Sequence, residues 1–98
     1  MRRSKILEKI NCGQPVVVTH VWAVPHWKLV DMIGVVGFDG VWLEYEHSDF
    51  TMGELSQMIL AARAHDMDSI VRIARGDYTN FVKPLEAGAT GIVVPHCL

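Results

Sequence analysis

Hydrophobic residues recur along the chain in two alternating patterns, one typical of buried strands and the other typical of amphipathic helices. Short apolar or alternating runs bounded by Gly and Pro predict four strands, over residues 16–21, 40–46, 69–75 and 91–95. Apolar residues at helical spacing, flanked by capping residues and glycines, predict helices over 2–11, 25–36, 51–66 and 77–87. The chain is therefore predicted to alternate between helices and strands.

The third predicted helix has the clearest start. The Thr51 hydroxyl can accept the backbone N–H of Glu54, whose side chain can reach back to Thr51 and complete a capping box. Phe50 and Leu55 occupy the two positions at which apolar residues staple such a helix start. The helix is predicted to fade near His65, which we expect to be an exposed helix end.

Alternating strands and helices predict an α/β fold with a parallel sheet and right-handed crossovers. The apolar strand 91–95 is typical of a sheet that is covered on at least one face. Four such strands fit either a small doubly wound sheet or half of a (β/α)₈ barrel, and the pattern alone does not decide. A doubly wound nucleotide-binding module is poorly supported, because no glycine-rich phosphate loop follows any predicted strand.

The composition is that of a globular protein, and the length of 98 residues favours one domain at most. The net charge of -2 gives no reason to expect a nucleic acid or an anionic membrane as a partner. The apolar runs are too short to span a bilayer, and no secretory signal follows the basic start. Cys12 and Cys97 lack metal-ligand spacing, so we expect free thiols and a cytoplasmic protein.

Polar side chains fall where the predicted strands end, which is where parallel α/β architectures bind their ligands. The candidates at these positions are His20, Trp22, Glu44, Glu46, His47, Arg72, Arg75 and His96. Side chains that converge from successive strand ends are what a barrel active site requires.

His47 stands beside two carboxylates, which can tune it as a general base, although a histidine that simply starts a loop is the alternative. We expect Glu44 and Glu46 to point to opposite faces, so that only one of them faces the site. Arg72 lies between apolar neighbours and needs an anion, either a ligand carboxylate or an internal one from Glu44 or Glu46. Trp22 is a candidate substrate-binding residue, with packing as the alternative.

Three segments of the sequence resemble those of a known protein family. They read GFDGVWLEYEH at 37–47, SIVRI at 69–73 and LEAGATGIVVP at 85–95. In this order and at this spacing they resemble the HpcH/HpaI aldolase family, which includes 2-dehydro-3-deoxyglucarate aldolase and 4-hydroxy-2-oxoheptanedioate aldolase. The resemblance implies a (β/α)₈ TIM barrel, which takes about 250 residues. Residues 1–98 are accordingly expected to be its N-terminal portion, with the first four parallel strands and their helices.

The resemblance also implies roles for individual residues. His47 occupies the position of the catalytic histidine that serves as acid and base for the aldol proton. Arg72 occupies the position of the arginine that binds the pyruvate carboxylate and polarises its carbonyl, a task suited to a guanidinium fork. Glu44 and Glu46 would support them. Glu44 stands where the family often has an aspartate that orients the histidine, so its longer side chain puts the placement of His47 in doubt.

A divalent metal, commonly magnesium, manganese or cobalt, is implied for the complete family barrel, where a cation stabilises the enolate. In the family the metal ligands are a glutamate and an aspartate from later strands, which lie beyond Leu98. No residue of this chain is therefore assigned to the metal.

Two functions follow as expectations. The first is a metal-dependent (class II) pyruvate aldolase, which is a carbon–carbon lyase. It would reversibly cleave 4-hydroxy-2-oxo acids to pyruvate and an aldehyde. The isolated chain of 98 residues is predicted to be inactive. The alternative is a catalytically inactive, truncated barrel fragment that folds by association with another chain. An open half barrel leaves its first and fourth strands as apolar edges, so we expect a homo-oligomer or a complementing chain.

Overall fold

The computed structural model describes residues 3–95, in which four helices alternate with four strands. The elements are α1 (Lys5–Asn11), β1 (Val18–Val21), α2 (Trp27–Val36), β2 (Gly40–Glu44), α3 (Met52–Ala64), β3 (Asp68–Arg72), α4 (Tyr78–Glu86) and β4 (Gly91–Val93). The predicted helix start at Arg2, and the residues His96 and Cys97, lie outside the described range. Within that range, no helix is long and apolar enough to cross a bilayer.

The four strands form one parallel sheet in the order β1-β2-β3-β4, so strands that are consecutive in the sequence are also neighbours. This arrangement confirms the predicted α/β fold with a parallel sheet. In the register, Trp42 of β2 lies between His20 of β1 and Ile70 of β3. Two residues further along, Glu44 is paired with Arg72. The polar residues His20, Glu44 and Arg72 therefore meet at the carboxyl-terminal end of the sheet, which we call the polar edge.

The two faces of the sheet differ in burial. Val41, Leu43 and Val71 point to one face and are fully buried, in a core that α2 and α3 complete. Trp42 and Ile70 stand one position along the same strands, so they point to the other face, where they are partly exposed. Within the described residues, the helices α2 and α3 thus cover one face and leave the other open.

The start of α3 has the capping geometry that its sequence predicts. The Thr51 hydroxyl accepts the backbone N–H of Glu54 at 3.1 Å, and the Glu54 carboxylate accepts the N–H of Thr51 at 2.9 Å. Phe50 and Leu55 are both buried in the core, as expected for a hydrophobic staple. This start fixes where the chain leaves the loop that follows β2.

The helix α1 lies on the surface, as predicted, but it is also tied to the amino-terminal end of the sheet. The buried Asp68 carboxylate accepts the backbone N–H groups of Lys5 and Ile6, both at 3.0 Å, and the Ser4 hydroxyl at 2.5 Å. Ile6 packs so closely on Gly40 that a Cβ there would lie 2.9 Å from its Cδ1 atom. Asp68 therefore caps α1 and holds it away from the polar edge.

The expectation that His65 is merely an exposed helix end is wrong. Its side chain is 24% exposed, and its Nε2 atom lies 2.6 Å from Oδ1 of Asp31 in α2. The imidazole rests on Gly34, where an added Cβ would meet the ring at 2.3 Å. His65 therefore joins α2 and α3, a role that depends on a neighbour 34 residues away in the sequence.

Candidate active site

The Glu44 carboxylate lies at the centre of the polar edge, with 5% of its side chain exposed. Its Oε2 atom accepts the backbone N–H groups of Glu46 at 3.2 Å and of His47 at 3.1 Å. Its Oε1 atom lies 3.4 Å from Nη1 of Arg72 and 3.5 Å from Nε2 of His20. The ends of β1, β2 and β3 therefore meet on one carboxylate.

This environment lowers the pKa of Glu44 below its ordinary value of 4.5. Burial alone raises the pKa, because it penalises the charged form, but the N–H of His47 and the charge of Arg72 lower it. The N–H of Glu46 and the His20 imidazole lower it further. Glu44 is therefore ionised at neutral pH and acts as an anion that organises the edge.

The prediction that Glu44 and Glu46 face opposite sides is wrong. Arg72 contacts both, with Nη1 at 3.4 Å from Glu44 Oε1 and Nη2 at 2.9 Å from Glu46 Oε1. Side chains two residues apart on a strand share a face, since the strand repeat is two residues. Of the two anions considered for Arg72, the structure thus supplies the internal one, from both glutamates.

His47 lies at the same edge as Arg72, and Glu46 connects the two. The His47 ring is 68% exposed, and its Nε2 atom lies 3.2 Å from Oε1 of Glu46, the same oxygen that Arg72 contacts. Glu44 binds the backbone of His47 and not its ring. The expected orienting carboxylate therefore acts on the main chain, and the adjacent Glu46 contacts the imidazole.

The shared oxygen of Glu46 is buried, yet no directed hydrogen bond reaches it from the residues that the structure describes. Arg72 and His47 approach this oxygen closely, but neither contact has hydrogen-bond geometry. Two carboxylates and one guanidinium leave this edge with one net negative charge when the imidazoles are neutral.

Trp22 lies in a concavity of about 280 Å³ that also contains His47. Its side chain is 60% exposed, so it is not a packing residue within the described chain. Ser48 and Asp49 line the same concavity and were not among the sequence candidates. Their position directly after His47, at the end of β2, is the signal that could have identified them.

The two remaining candidates are Arg75 and His96. Arg75 is exposed beyond the end of β3. His96 lies outside the described residues. The residues at the polar edge thus reduce to His20, Trp22, Glu44, Glu46, His47 and Arg72.

A metal does not fit the residues at hand. No group of three or more His, Cys, Asp or Glu side chains within residues 3–95 could hold a metal ion. Glu44 and Glu46 are engaged by the Arg72 guanidinium, which competes with a cation for the same oxygens. We therefore assign no step to a metal held by this part of the chain.

Comparisons with known proteins show which proteins the chain resembles. No family model matches the chain. The hydroxypyruvate/pyruvate aldolase of Rhizorhabdus wittichii is 31% identical over 92 residues, which are 94% of this chain and 36% of that protein. The 4-hydroxy-4-methyl-2-oxoglutarate aldolase of Chaetomium globosum is 27% identical over 94 residues, which are 95% of this chain and 35% of that protein.

Two solved structures share the fold. Citrate synthase SbnG superimposes with a TM-score of 0.85 at 28% identity, covering 97% of this chain and 38% of its own. An HpcH/HpaI aldolase from Desulfitobacterium hafniense has a TM-score of 0.84 at 24% identity, with 94% and 36% covered, and shows the fold. The predicted resemblance to HpcH/HpaI-type aldolases is confirmed.

The match to HpcH/HpaI-type aldolases also confirms the predicted fold class, a partial (β/α)₈ barrel. The chain spans about a third of the length of the curated relatives it matches, at 36% and 35%. The order β1-β2-β3-β4 of consecutive parallel strands is the order of a barrel; it is not that of a doubly wound sheet, whose strand order reverses at a switch point.

Proposed function

We propose that the chain supplies the substrate-binding and proton-transfer edge of a metal-dependent (class II) pyruvate aldolase. The reaction is the reversible cleavage of a 4-hydroxy-2-oxo acid into pyruvate and an aldehyde. The single observation that carries the proposal is the Glu46 oxygen shared by Arg72 and His47, at 2.9 and 3.2 Å. The curated relatives support it, because both are named as aldolases.

Arg72 is proposed to bind the carboxylate of the 2-oxo acid. Its guanidinium has five N–H donors, and the contacts with Glu44 and Glu46 engage one terminal nitrogen each. Further N–H groups can therefore donate to a substrate carboxylate in the paired geometry that arginine favours. The two glutamates would hold the fork in one orientation before the substrate arrives.

His47 is proposed to accept and return the proton of the aldol hydroxyl. Its ring is exposed toward the concavity that it shares with Trp22, and Glu46 contacts its Nε2 atom. An imidazole held by a carboxylate is suited to this exchange near neutral pH. Trp22 would then contact the substrate within the same concavity.

The divalent metal belongs to this proposal through the resemblance alone. Bound in a complete barrel, it would stabilise the negative charge of the enolate. The roles proposed for Arg72 and His47 do not require the metal. A cytoplasmic location is part of the same proposal and is supported by two cysteines that we expect to be free thiols.

A chimera tests the aldolase proposal. The matched 92 residues of the Rhizorhabdus wittichii aldolase are replaced by those of this chain, and aldol cleavage is assayed with Mn²⁺. We expect activity in the chimera and a loss of about 100-fold in kcat/KM on Arg72→Ala, because the paired hydrogen bonds to the carboxylate are removed. The loss should be chiefly in KM for the 2-oxo acid.

Arg75→Ala is the matched control, since it removes the same charge from an exposed position beyond β3. It should leave kcat/KM nearly unchanged. Circular dichroism of each variant shows whether the barrel has folded. A folded Arg72→Ala chimera with unchanged affinity for the 2-oxo acid would contradict the assigned role.

A second candidate role is favoured by the open face of the sheet. Trp42 and Ile70 are partly exposed there, and β1 and β4 have one neighbour each within the described residues. The chain alone would then be inactive and would fold by association with another chain. An assay of the 98-residue chain with pyruvate, an aldehyde and Mn²⁺ should give no turnover or a trace; rates equal to those of the chimera would exclude this role.

A further inference from the structure

His20 is the imidazole of the polar edge that the proposed reaction does not use. Its Nε2 atom lies 3.5 Å from Oε1 of Glu44, and Nη1 of Arg72 lies 3.4 Å from the same oxygen. Among the residues that the structure describes, His20 and Arg72 are the two that approach this oxygen. A group on β1 therefore shares a carboxylate oxygen with the guanidinium that is proposed to bind the 2-oxo acid.

The strand register places His20 below the pair formed by Glu44 and Arg72. His20 is paired with Trp42, two residues before Glu44 on β2, whereas Glu44 is paired with Arg72. Two residues of a strand correspond to about 7 Å. His20 thus contacts Glu44 from the amino-terminal side, whereas the active sites of parallel barrels lie at the carboxyl-terminal ends of the strands.

The surroundings of His20 differ from those of His47. His20 lines a concavity together with other residues of β1 and with Trp42, and it is not among the residues that line the concavity of Trp22 and His47. Its ring meets the Trp42 indole edge-on, with centroids 5.9 Å apart and planes at 70°. This contact restricts the orientation of the ring whose Nε2 atom approaches Glu44.

Glu44 is held at both of its carboxylate oxygens. Oε2 accepts the main-chain N–H groups of Glu46 at 3.2 Å and of His47 at 3.1 Å, and 5% of the side chain is exposed. These bonds fix Oε2 and leave the direction of Oε1 to its own contacts, which are those with Arg72 and His20. Two contacts define the position of Oε1 more closely than Arg72 could alone.

We propose that His20 is a positioning residue of the aldolase site. It holds Oε1 of Glu44 beside Nη1 of Arg72 and thereby keeps the guanidinium in the orientation that receives the substrate carboxylate. A guanidinium that is oriented before the substrate arrives loses less conformational freedom on binding. The inference rests on the proposed role of Arg72 and adds a residue that acts without touching the substrate.

The ionisation of Glu44 supports this role. Burial raises the pKa of the Glu44 carboxyl, whereas the N–H of His47, the charge of Arg72, the N–H of Glu46 and the His20 imidazole lower it below 4.5. His20 thus favours the ionised form of the carboxylate, which is the form that attracts a guanidinium.

Two substitutions at His20 separate positioning from packing. His20→Phe keeps an aromatic ring beside Trp42 and removes the nitrogen that contacts Glu44, whereas His20→Gln keeps an N–H donor and removes the ring. In the chimera with the Rhizorhabdus wittichii aldolase, we expect His20→Phe to raise KM for the 2-oxo acid about fivefold and to leave kcat within about twofold, because the proton-transfer residues are unchanged. His20→Gln should restore KM to within about twofold of the original value. The reverse order, with His20→Gln impaired and His20→Phe unaffected, would show that His20 only packs on Trp42.

A double-mutant cycle with Glu44→Gln tests whether His20 acts through the carboxylate. The effect of His20→Phe on KM should fall from about fivefold to less than about twofold in this background, because the anion that His20 holds is gone. An equal effect in both backgrounds would show that His20 acts by another route, and it would overturn the inference.

His26→Phe is the matched control. His26 is exposed and lies outside the polar edge, where its Nδ1 atom accepts the N–H of Lys28 at 3.0 Å and caps α2. The substitution makes the same chemical change at a position away from Glu44, and it should leave KM and kcat unchanged. Circular dichroism shows whether each variant has folded. His20→Leu also lacks the nitrogen, and it takes the place of His20→Phe if the larger ring prevents folding.

Calorimetric titration with pyruvate in the presence of Mn²⁺ measures affinity independently of turnover. The dissociation constant should also rise about fivefold in His20→Phe. An active chimera in which His20→Phe leaves KM unchanged or lowers it would overturn this inference and leave the aldolase proposal intact. A chimera that neither cleaves the aldol nor binds pyruvate would contradict the aldolase proposal and, with it, the role of His20.

Discussion

The carboxylate of Glu44 connects three strand ends, because groups from β1, β3 and the turn after β2 converge on it. It binds the backbone N–H of His47 and leaves the ring to Glu46. A shorter aspartate at this position would have less reach toward Arg72 and His20. In this chain, Glu44 therefore contacts the main chain of His47 and Glu46 contacts its ring.

Asp39 is a second buried carboxylate with a lowered pKa, at the opposite edge of the sheet. Its Oδ1 atom lies 2.6 Å from Nζ of Lys9 and 3.8 Å from Nζ of Lys5, and its Oδ2 atom accepts the N–H of Val17 at 2.9 Å. The hydrogen bonds from Lys9 and Val17 lower its pKa below the ordinary 3.8, although burial opposes them. The two lysine charges lower it further.

This lowered pKa makes stability depend on pH in a defined direction. In the acid range the Asp39 carboxylate binds a proton more strongly in the unfolded chain than in the folded one. The stability that ionised Asp39 contributes is therefore complete above pH 3.8, and it is lost as the pH falls through the lower pKa of the folded state. Asp39→Asn should therefore cost about 1–2 kcal/mol at pH 6 and progressively less below pH 3.8.

Urea unfolding of both proteins at a series of pH values checks this prediction. Contributions from other titratable groups cancel in the difference between the two proteins. A difference in unfolding free energy that stays constant from pH 6 to the acid limit would show that Asp39 contributes no linkage.

At the scale of elements, the packing of α2 on α3 depends on the absence of a side chain at Gly34. An added Cβ would lie 2.3 Å from Cγ and 2.7 Å from Cβ of His65, which is closer than real Cβ contacts allow. The imidazole occupies this space while it reaches Asp31 at 2.6 Å. The two helices therefore approach each other through one glycine and one histidine.

Gly34→Ala is expected to destabilise the protein by about 1–3 kcal/mol, since the strain exceeds the gain of about 1 kcal/mol in helix propensity. Gly53→Ala is the matched control in α3, where only Thr51 Oγ1 lies within 4 Å, at 3.8 Å. It should leave stability unchanged or raise it by up to about 1 kcal/mol. Urea unfolding measures both.

A double-mutant cycle identifies the cause of the strain. In a His65→Ala background the same Gly34→Ala change should cost little or be favourable, because the ring that it would strike is gone. If the cost of Gly34→Ala were the same in both backgrounds, contact with His65 would not be its source.

At the scale of the whole molecule, the second candidate role predicts that folding and association are linked. If association with another copy stabilises the folded chain, the Tm rises with chain concentration. A tenfold increase is expected to raise Tm by about 3–5 °C. Calorimetric scans at two concentrations provide the measurement. Equal Tm values would mean that the single chain is the unit that unfolds.

Much of the architecture could be predicted because its causes are local. The Thr51–Glu54 capping box lies within four residues, and the alternation of Val41, Leu43 and Tyr45 repeats every two. The alternation of strands and helices then predicts a parallel sheet. The positions of His47 and Arg72 at strand ends follow from the same pattern, so the sequence alone predicts both as candidate site residues.

The opposite-face prediction for Glu44 and Glu46 is wrong because it misreads the local two-residue repeat of a strand. The other differences between prediction and structure involve contacts between residues distant in the sequence. The bridge from Arg72 to both glutamates spans 28 residues to Glu44, and the pairing of His65 with Asp31 spans 34. Asp68 caps α1 from 64 residues away. No local pattern reports such contacts, since they depend on strand register and on how the helices pack.

By itself, the amino-acid sequence determined the elements of this protein, their order and the chemistry available at the strand ends. Those properties depend on hydrogen bonding, capping and hydrophobic spacing over a few residues. Only the tertiary structure decided that Glu46 contacts both His47 and Arg72, that Asp68 holds α1, and that α2 and α3 cover the same face of the sheet within residues 3–95. Such contacts require the whole sheet to be assembled, because they form between groups that only the parallel register brings together.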